Sequence, residues 1–310
     1  MTPTTRETNG IAEERRERAA FRASRNAFRL LPTLFTMGNL MAGFSAIYFA
    51  AKPSDISSVA GLSTLTIAGL LIFIGMLFDT VDGTLARLTN STSDLGAQLD
   101  SLADVVTCGV APAFIMLRLV GTWLHDGQPG MLLGPERGDV LGRLVWGAAI
   151  VYVCCTALRL ARFNVETISD EWQDHLYFRG LPSPGAAGVV ASLVLLHEHW
   201  MAVPATTSDI AVKLAYATAL LIPVISITCA IAMVTSLPYA HVINRSARDA
   251  RSAASIAKLL IPMALAIWWL QETLAAVFTI YALSAPITAL RQKMRSTKRT
   301  IRDTLTDSHD

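Results

Sequence analysis

Four aspartates, Asp79, Asp82, Asp100 and Asp104, stand between two strongly apolar stretches of the chain. A carboxylate inside a membrane-spanning segment costs about 2.5–3.5 kcal/mol at the centre on insertion scales and less near the ends, so a group of four needs compensation. Spacing says what they can do together. Asp79 and Asp82 are three residues apart and Asp100 and Asp104 four apart, so each pair lies on one helix face. The polar turn between them, Asn90, Ser91, Thr92 and Ser93, returns the chain antiparallel and lets the pairs face one another. Four oxygen donors then converge, a set suited to a hard divalent cation such as Mg²⁺ or Mn²⁺ whose shell substrate phosphates can complete. Neighbouring residues agree with a phosphate site. Gly83 leaves room for a ligand beside Asp82, Gly96 does the same before Asp100, and Arg87 can give phosphate a bidentate contact. The plainer alternative is a polar juxtamembrane loop whose acids pair with Arg87 and the helix ends. One arginine cannot neutralise four acids.

The elements that must position these acids are membrane helices. Of 310 residues, 52% are hydrophobic and 16% charged, against about 25% charged in soluble domains. Apolar runs near the roughly 20 residues of a membrane helix recur at Leu31–Ala50, Gly61–Asp79, Ala97–Val120, Leu144–Leu160, Gly185–Val203, Val212–Ser236, Ile256–Leu270 and Leu274–Leu290. Eight spans place the basic residues on one side: the N-terminal arm, Arg87, Arg159, Arg162 and Arg179, the Arg245–Lys258 loop, and the tail from Arg291. By the positive-inside rule both termini are cytoplasmic. The net charge of +2 gives no reason to expect nucleic-acid binding.

The expected fold is therefore an all-α integral membrane protein, about eight helices around a cytoplasm-facing metal site. Residues 1–29 form a basic arm in which Phe21 and Phe28, seven apart among arginines, suit an interfacial amphipathic helix, or else a basic topogenic flank. Residues 30–290 form the transmembrane catalytic domain. Residues 291–310 form a basic cytoplasmic tail that ends disordered. The four cysteines fall inside predicted spans as small apolar residues, with no disulfide expected. Gly185 and Gly188, with Ala186 and Ala187, make a small-residue face for close helix packing. Pro182 and Pro184 set a rigid entry to the fifth span, and His197-Glu198-His199 reads as an interfacial polar cap rather than a zinc site.

The stretch "DTVDGTLARLTNSTSDLGAQLDSLAD" resembles the CDP-alcohol phosphotransferase family, matching its pattern D-x2-D-G-x2-A-R-x8-G-x3-D-x3-D at Asp79, Asp82, Gly83, Ala86, Arg87, Gly96, Asp100 and Asp104. The resemblance implies a membrane enzyme that moves a phosphatidyl group from a CDP-linked lipid to an alcohol and releases CMP. It implies that Asp79, Asp82 and Asp100 bind metal, with two Mg²⁺ or Mn²⁺ ions in all, and that Asp104 is the general base and shares the second ion. Gly83, Arg87 and Ser93 would meet the CDP moiety, and a homodimer is the implied assembly.

The segments "LPTLFTMGNLMAGF", "LRLARFN" and "FRGLPSPGAAG" resemble the bacterial phosphatidylserine synthases of that family. That implies an enzyme of the bacterial inner membrane, acting among membrane lipids on CDP-diacylglycerol and L-serine. Thr36 and Asn39, one turn apart near the cytoplasmic end of the first span, are expected beside the nucleotide or in helix–helix hydrogen bonds. Arg159, Arg162, Asn164 and Arg179 are candidates for the headgroup or a phosphate, with topogenic charge the competing reading for each arginine. Two alternatives remain open. Glycerol 3-phosphate or an inositol phosphate is the alternative acceptor, and a divalent-cation transporter is the alternative from another functional class, because intramembrane acids also mark ion pathways.

Overall fold

A computed structural model describes residues 32–52, 61–89, 94–124, 133–135, 139–168, 177–201, 209–235, 238–240, 264–265 and 268–306. The chain is nearly all helical. Its helices are α1 (Pro32–Ala51), α2 (Thr64–Thr89), α3 (Asp94–Asp104), which runs through a π-helical turn (Val105–Val110) into α4 (Ala111–Leu124), α5 (Val140–Ile168), α6 (Ser183–Met201), α7 (Asp209–Val234) and α8 (Leu270–Thr306). Two three-residue strands, β1 (Tyr177–Arg179) and β2 (Pro238–Ala240), pair antiparallel and tie the connection before α6 to the one after α7. Gly180 follows β1 with φ +89°, where an added Cβ would lie 2.5 Å from the Met233 carbonyl oxygen. Only glycine fits that corner.

Six of the described helices are long and apolar enough to cross a membrane: α1, α2, the continuous α3–α4, α5, α7 and α8. The protein is a multi-pass membrane protein. The predicted fifth span coincides with α6, whose 19 residues carry the polar His197-Glu198-His199 triplet near their C-terminal end. The predicted seventh span, the N-terminal arm with Phe21 and Phe28, and Ser93 lie outside the described residues or almost entirely so. The helices also run further than the apolar runs. Strong helix formers such as Leu85, Ala86 and Arg87 carry α2 past the acids, and of the tail expected to end disordered, residues 291–306 are helical through Arg, Lys, Gln and Met while 307–310 lie outside the described residues.

The core sits where α6 packs against α2, α4, α7 and α8. Small residues bring α6 and α8 together: an added Cβ at Gly185 would stand 2.9 Å from the Tyr281 ring, and one at Gly188 would overlap Phe278. The expected small-residue face is thus used within one chain. Gly188→Ala is expected to lower stability by about 1–3 kcal/mol through overpacking, read as earlier thermal unfolding in detergent. Gly147→Ala, whose Cβ meets nothing within 4 Å, is the neutral control.

The end of the bundle away from the aspartates is closed by polar ties. His197 Nε2 is 3.1 Å from the Ala215 carbonyl on α7, and its ring meets Trp123 edge-on. Glu198 accepts a 2.6 Å hydrogen bond from Ser63 Oγ at the head of α2, and His199 lies 3.6 Å from Glu272 on α8. The triplet is more than a surface cap: each residue joins α6 to a different neighbour. Arg118, buried in α4, donates from Nε to the Ala50 carbonyl at 2.7 Å and from a terminal nitrogen to that of Lys52 at 3.1 Å. It satisfies carbonyls that the C-terminus of α1 leaves without intrahelical donors.

Candidate active site

At the other end, the C-terminal half of α2, carrying Asp79 and Asp82, and the later part of α3, carrying Asp100 and Asp104, bring the acids together. One carboxylate oxygen each from Asp79, Asp82 and Asp100 lie within 4.8 Å of one another. Opposed ligands of an ion with bonds of about 2.1 Å stand about 4.2 Å apart, so a small inward movement closes this group on Mg²⁺ or Mn²⁺. Two further observations fit a cation. The Asp79 and Asp100 carboxyls lie within hydrogen-bonding reach of each other, an arrangement two carboxylates tolerate only with positive charge or a proton between them. Asp100 Oδ1 is buried and has no hydrogen-bond partner among the described residues, which leaves an oxygen of the kind a hard cation takes.

Asp104 stands one turn beyond Asp100 and is almost fully buried. It is held from α1: Asn39 donates from Nδ2 to Asp104 Oδ1 at 3.0 Å. Thr36, one turn earlier, donates from Oγ1 to Asp82 Oδ2 at 2.8 Å. Thr36 and Asn39, expected beside the nucleotide or between helices, therefore hold two of the acids. The approach of α1 needs glycine. An added Cβ at Gly75 would be 2.6 Å from Thr107 Cγ2 and 2.9 Å from Asn39 Oδ1, and one at Gly43 would overlap Thr107 Oγ1. Gly83 differs, since a Cβ there would meet nothing within 4 Å. Among the described residues, space is open beside Asp82, where a ligand was expected.

The structure treats the basic candidates differently. Arg159 on α5 is largely buried, donates to Ser183 Oγ at 3.0 Å, and lies within electrostatic reach of Asp104 and Tyr281, while its Nε has no partner among the described residues. Arg162 is exposed. Asn164 donates to Ser101 Oγ at 2.8 Å and so ties α5 to α3. Arg87 is part of α2, but its side chain, like that of Arg179, lies outside the described residues.

Three contributors escaped sequence reasoning. Ser183 anchors Arg159, Thr107 donates from Oγ1 to the Asn39 carbonyl at 3.0 Å, and the Tyr152 hydroxyl donates to the Cys108 carbonyl at 3.1 Å. Pro112 is the signal that could have exposed the last of them. In an α-helix its nitrogen would face the Cys108 carbonyl, but proline has no N–H to give and its ring crowds that oxygen. The chain widens into a π turn there, with the Ala111 N–H reaching back five residues to Val106.

Comparison with known proteins covers the same helices. The family model for CDP-alcohol phosphatidyltransferase matches residues 29–232. A CDP-diacylglycerol–serine O-phosphatidyltransferase from Helicobacter pylori is 33% identical over 175 residues, 56% of this chain and 61% of that protein. Proteins of the same name match from Mycobacterium tuberculosis, 30% identical over 181 residues and 52% of its length, and from Bacillus subtilis, 34% identical over 157 residues and 70% of its length. The matched region thus spans about half to two thirds of these curated relatives. The family model's match, residues 29–232, runs from α1 into α7 and takes in all four aspartates, and on that extent the chain belongs to the CDP-alcohol phosphatidyltransferase family.

Proposed function

We propose that this protein transfers the phosphatidyl group of CDP-diacylglycerol to the hydroxyl of L-serine, giving phosphatidylserine and CMP. The observation that carries the reading is the convergence of Asp79, Asp82 and Asp100 within 4.8 Å, with Asp104 one turn away. Serine as acceptor is supported by the names of the relatives. In this reading Asp79, Asp82 and Asp100 hold a first Mg²⁺ or Mn²⁺ ion and Asp104 shares a second. Bound there, the ions neutralise the diphosphate and stabilise the departing CMP.

The residues of the chain do the rest. Gly83 leaves space for the nucleotide, with Arg87 and Ser93 as its further contacts, and Thr36 and Asn39 border it through the carboxylates they hold. Asp104 accepts the serine hydroxyl proton as the new oxygen–phosphorus bond forms and the bond to CMP breaks. The acyl chains stay in lipid. The water-soluble acceptor enters from the cytoplasmic face of the bacterial inner membrane, with both termini on that side and a homodimer as the assembly.

Arg159 is the group best placed to hold the serine carboxylate. It is anchored by Ser183 within electrostatic reach of Asp104, and its Nε, without a partner among the described residues, leaves a donor for a carboxylate oxygen. Arg162, Asn164 and Arg179 are assigned the outer part of the headgroup path. Arg159→Lys, which keeps the charge and loses the planar fork, is expected to raise KM for serine by about tenfold with KM for CDP-diacylglycerol unchanged. The function itself is tested by offering labelled serine, glycerol 3-phosphate and inositol phosphate separately with CDP-diacylglycerol. Labelled lipid from serine alone is expected; product from one of the others would keep the metal chemistry and replace the acceptor.

A further inference from the structure

We infer that the π turn after Asp104 is a positioning device for that carboxylate, with Thr107 and Tyr152 as its positioning residues. The inference rests on the proposed role of Asp104 as base. A π turn carries one residue more than an α-helical turn, and each residue of an α-helix turns the chain by about 100°. The turn therefore resets the direction of Asp100 and Asp104 relative to α4, whose face is fixed in the core: Ala111, Ile115, Met116 and Leu119 are completely buried. Two hydrogen bonds from outside the helix secure the reset. The fully buried Tyr152 on α5 supplies the Cys108 carbonyl with the donor that Pro112 lacks.

Thr107, itself completely buried, closes a ring. Its hydroxyl donates to the Asn39 carbonyl, and the Asn39 side-chain amide donates to Asp104, three residues before Thr107. Asp104 is thus clamped to α1 from its own helix. Gly43 and Gly75 leave no slack around Thr107, because a Cβ at either would collide with it. A base placed this way aims at one point, and misplacement by about 1 Å can cost a hundredfold in rate.

The test uses the full-length protein in detergent, with CMP release as readout. Thr107→Val keeps the shape and removes the donor, and Tyr152→Phe keeps the ring and removes its hydroxyl. Each is expected to lower kcat between about tenfold and a hundredfold, with KM for CDP-diacylglycerol and the melting temperature of the cation-loaded protein close to wild type. Thr107→Ser, which restores the hydroxyl, is expected to recover most of the rate. Wild-type kcat in both Thr107→Val and Tyr152→Phe would overturn the inference, as would losses that follow only the folded fraction. Asp104→Asn measured beside them separates the two levels. If Asp104→Asn is inactive while both variants turn over normally, the positioning role fails and the base survives; if Asp104→Asn retains turnover, the base reading fails first.

Discussion

Asp104→Asn is expected to lower turnover with serine by about 10²- to 10⁴-fold while CDP-diacylglycerol still binds and the protein still folds. The reason lies in what the substitution keeps. Asparagine has nearly the shape of aspartate, and its amide oxygen can still accept the hydrogen bond from Asn39 Nδ2 that now reaches Asp104 Oδ1 at 3.0 Å. The local packing and the tie to α1 therefore survive. The variant loses a group able to take a proton, along with one negative charge. An alcohol is a poor nucleophile near neutral pH, so losing the proton acceptor falls on kcat, while Asp79, Asp82 and Asp100 still hold the first ion for the diphosphate of the lipid substrate. Retained turnover, with kcat within a few-fold of wild type, would remove Asp104 from the base role and leave it a structural acid.

Removing divalent cation has an effect of similar size with a second, independent signature. Chelation is expected to abolish CMP release and added Mg²⁺ or Mn²⁺ to restore it. The stability readout follows from geometry. Asp79, Asp82 and Asp100 present oxygens within 4.8 Å of one another, with Asp82 buried and one Asp100 oxygen without a partner among the described residues, so without a cation these groups oppose the fold. A cation that binds only the folded protein stabilises it by about 2.7 kcal/mol at a hundred times its Kd. Mg²⁺ or Mn²⁺ should therefore raise the melting temperature of the wild type. Asp79→Ala should lose that response, and without metal it should be at least as stable as metal-free wild type, because it removes a repelling charge. A cation response unchanged in Asp79→Ala would place the ion elsewhere.

How much of this was legible in the sequence depends on the range of each interaction. The acids were legible because Asp79, Asp82, Asp100 and Asp104 are spaced for helix faces within one helical hairpin, and the Gly185–Gly188 face was legible because small residues in a membrane helix have few other uses. The partners of the acids were not. Thr36 reaches Asp82 across 46 residues and Asn39 reaches Asp104 across 65, and no local pattern distinguishes such contacts from ordinary helix–helix polarity. Arg118 was hidden inside an apolar run, and its use became apparent only once the carbonyls of Ala50 and Lys52 stood beside it. Pro112 was visible, but what it does depends on Tyr152 arriving from α5 to take the Cys108 carbonyl. Helix ends were misjudged where hydropathy stopped at the first acid while helix propensity carried α2 on to Thr89.

The most direct test of the four-aspartate centre as an enzyme rather than an ion pathway is a paired count in sealed vesicles containing the purified protein, CDP-diacylglycerol and labelled serine. CMP, labelled phosphatidylserine and divalent-ion entry are followed in the same samples. One CMP for each phosphatidylserine is expected, dependent on Mg²⁺ or Mn²⁺, lost in Asp104→Asn, and with no ion entry above that of protein-free vesicles. Divalent-ion entry that depends on the aspartates, with neither CMP nor labelled lipid formed, would contradict it and make the acids a transport site.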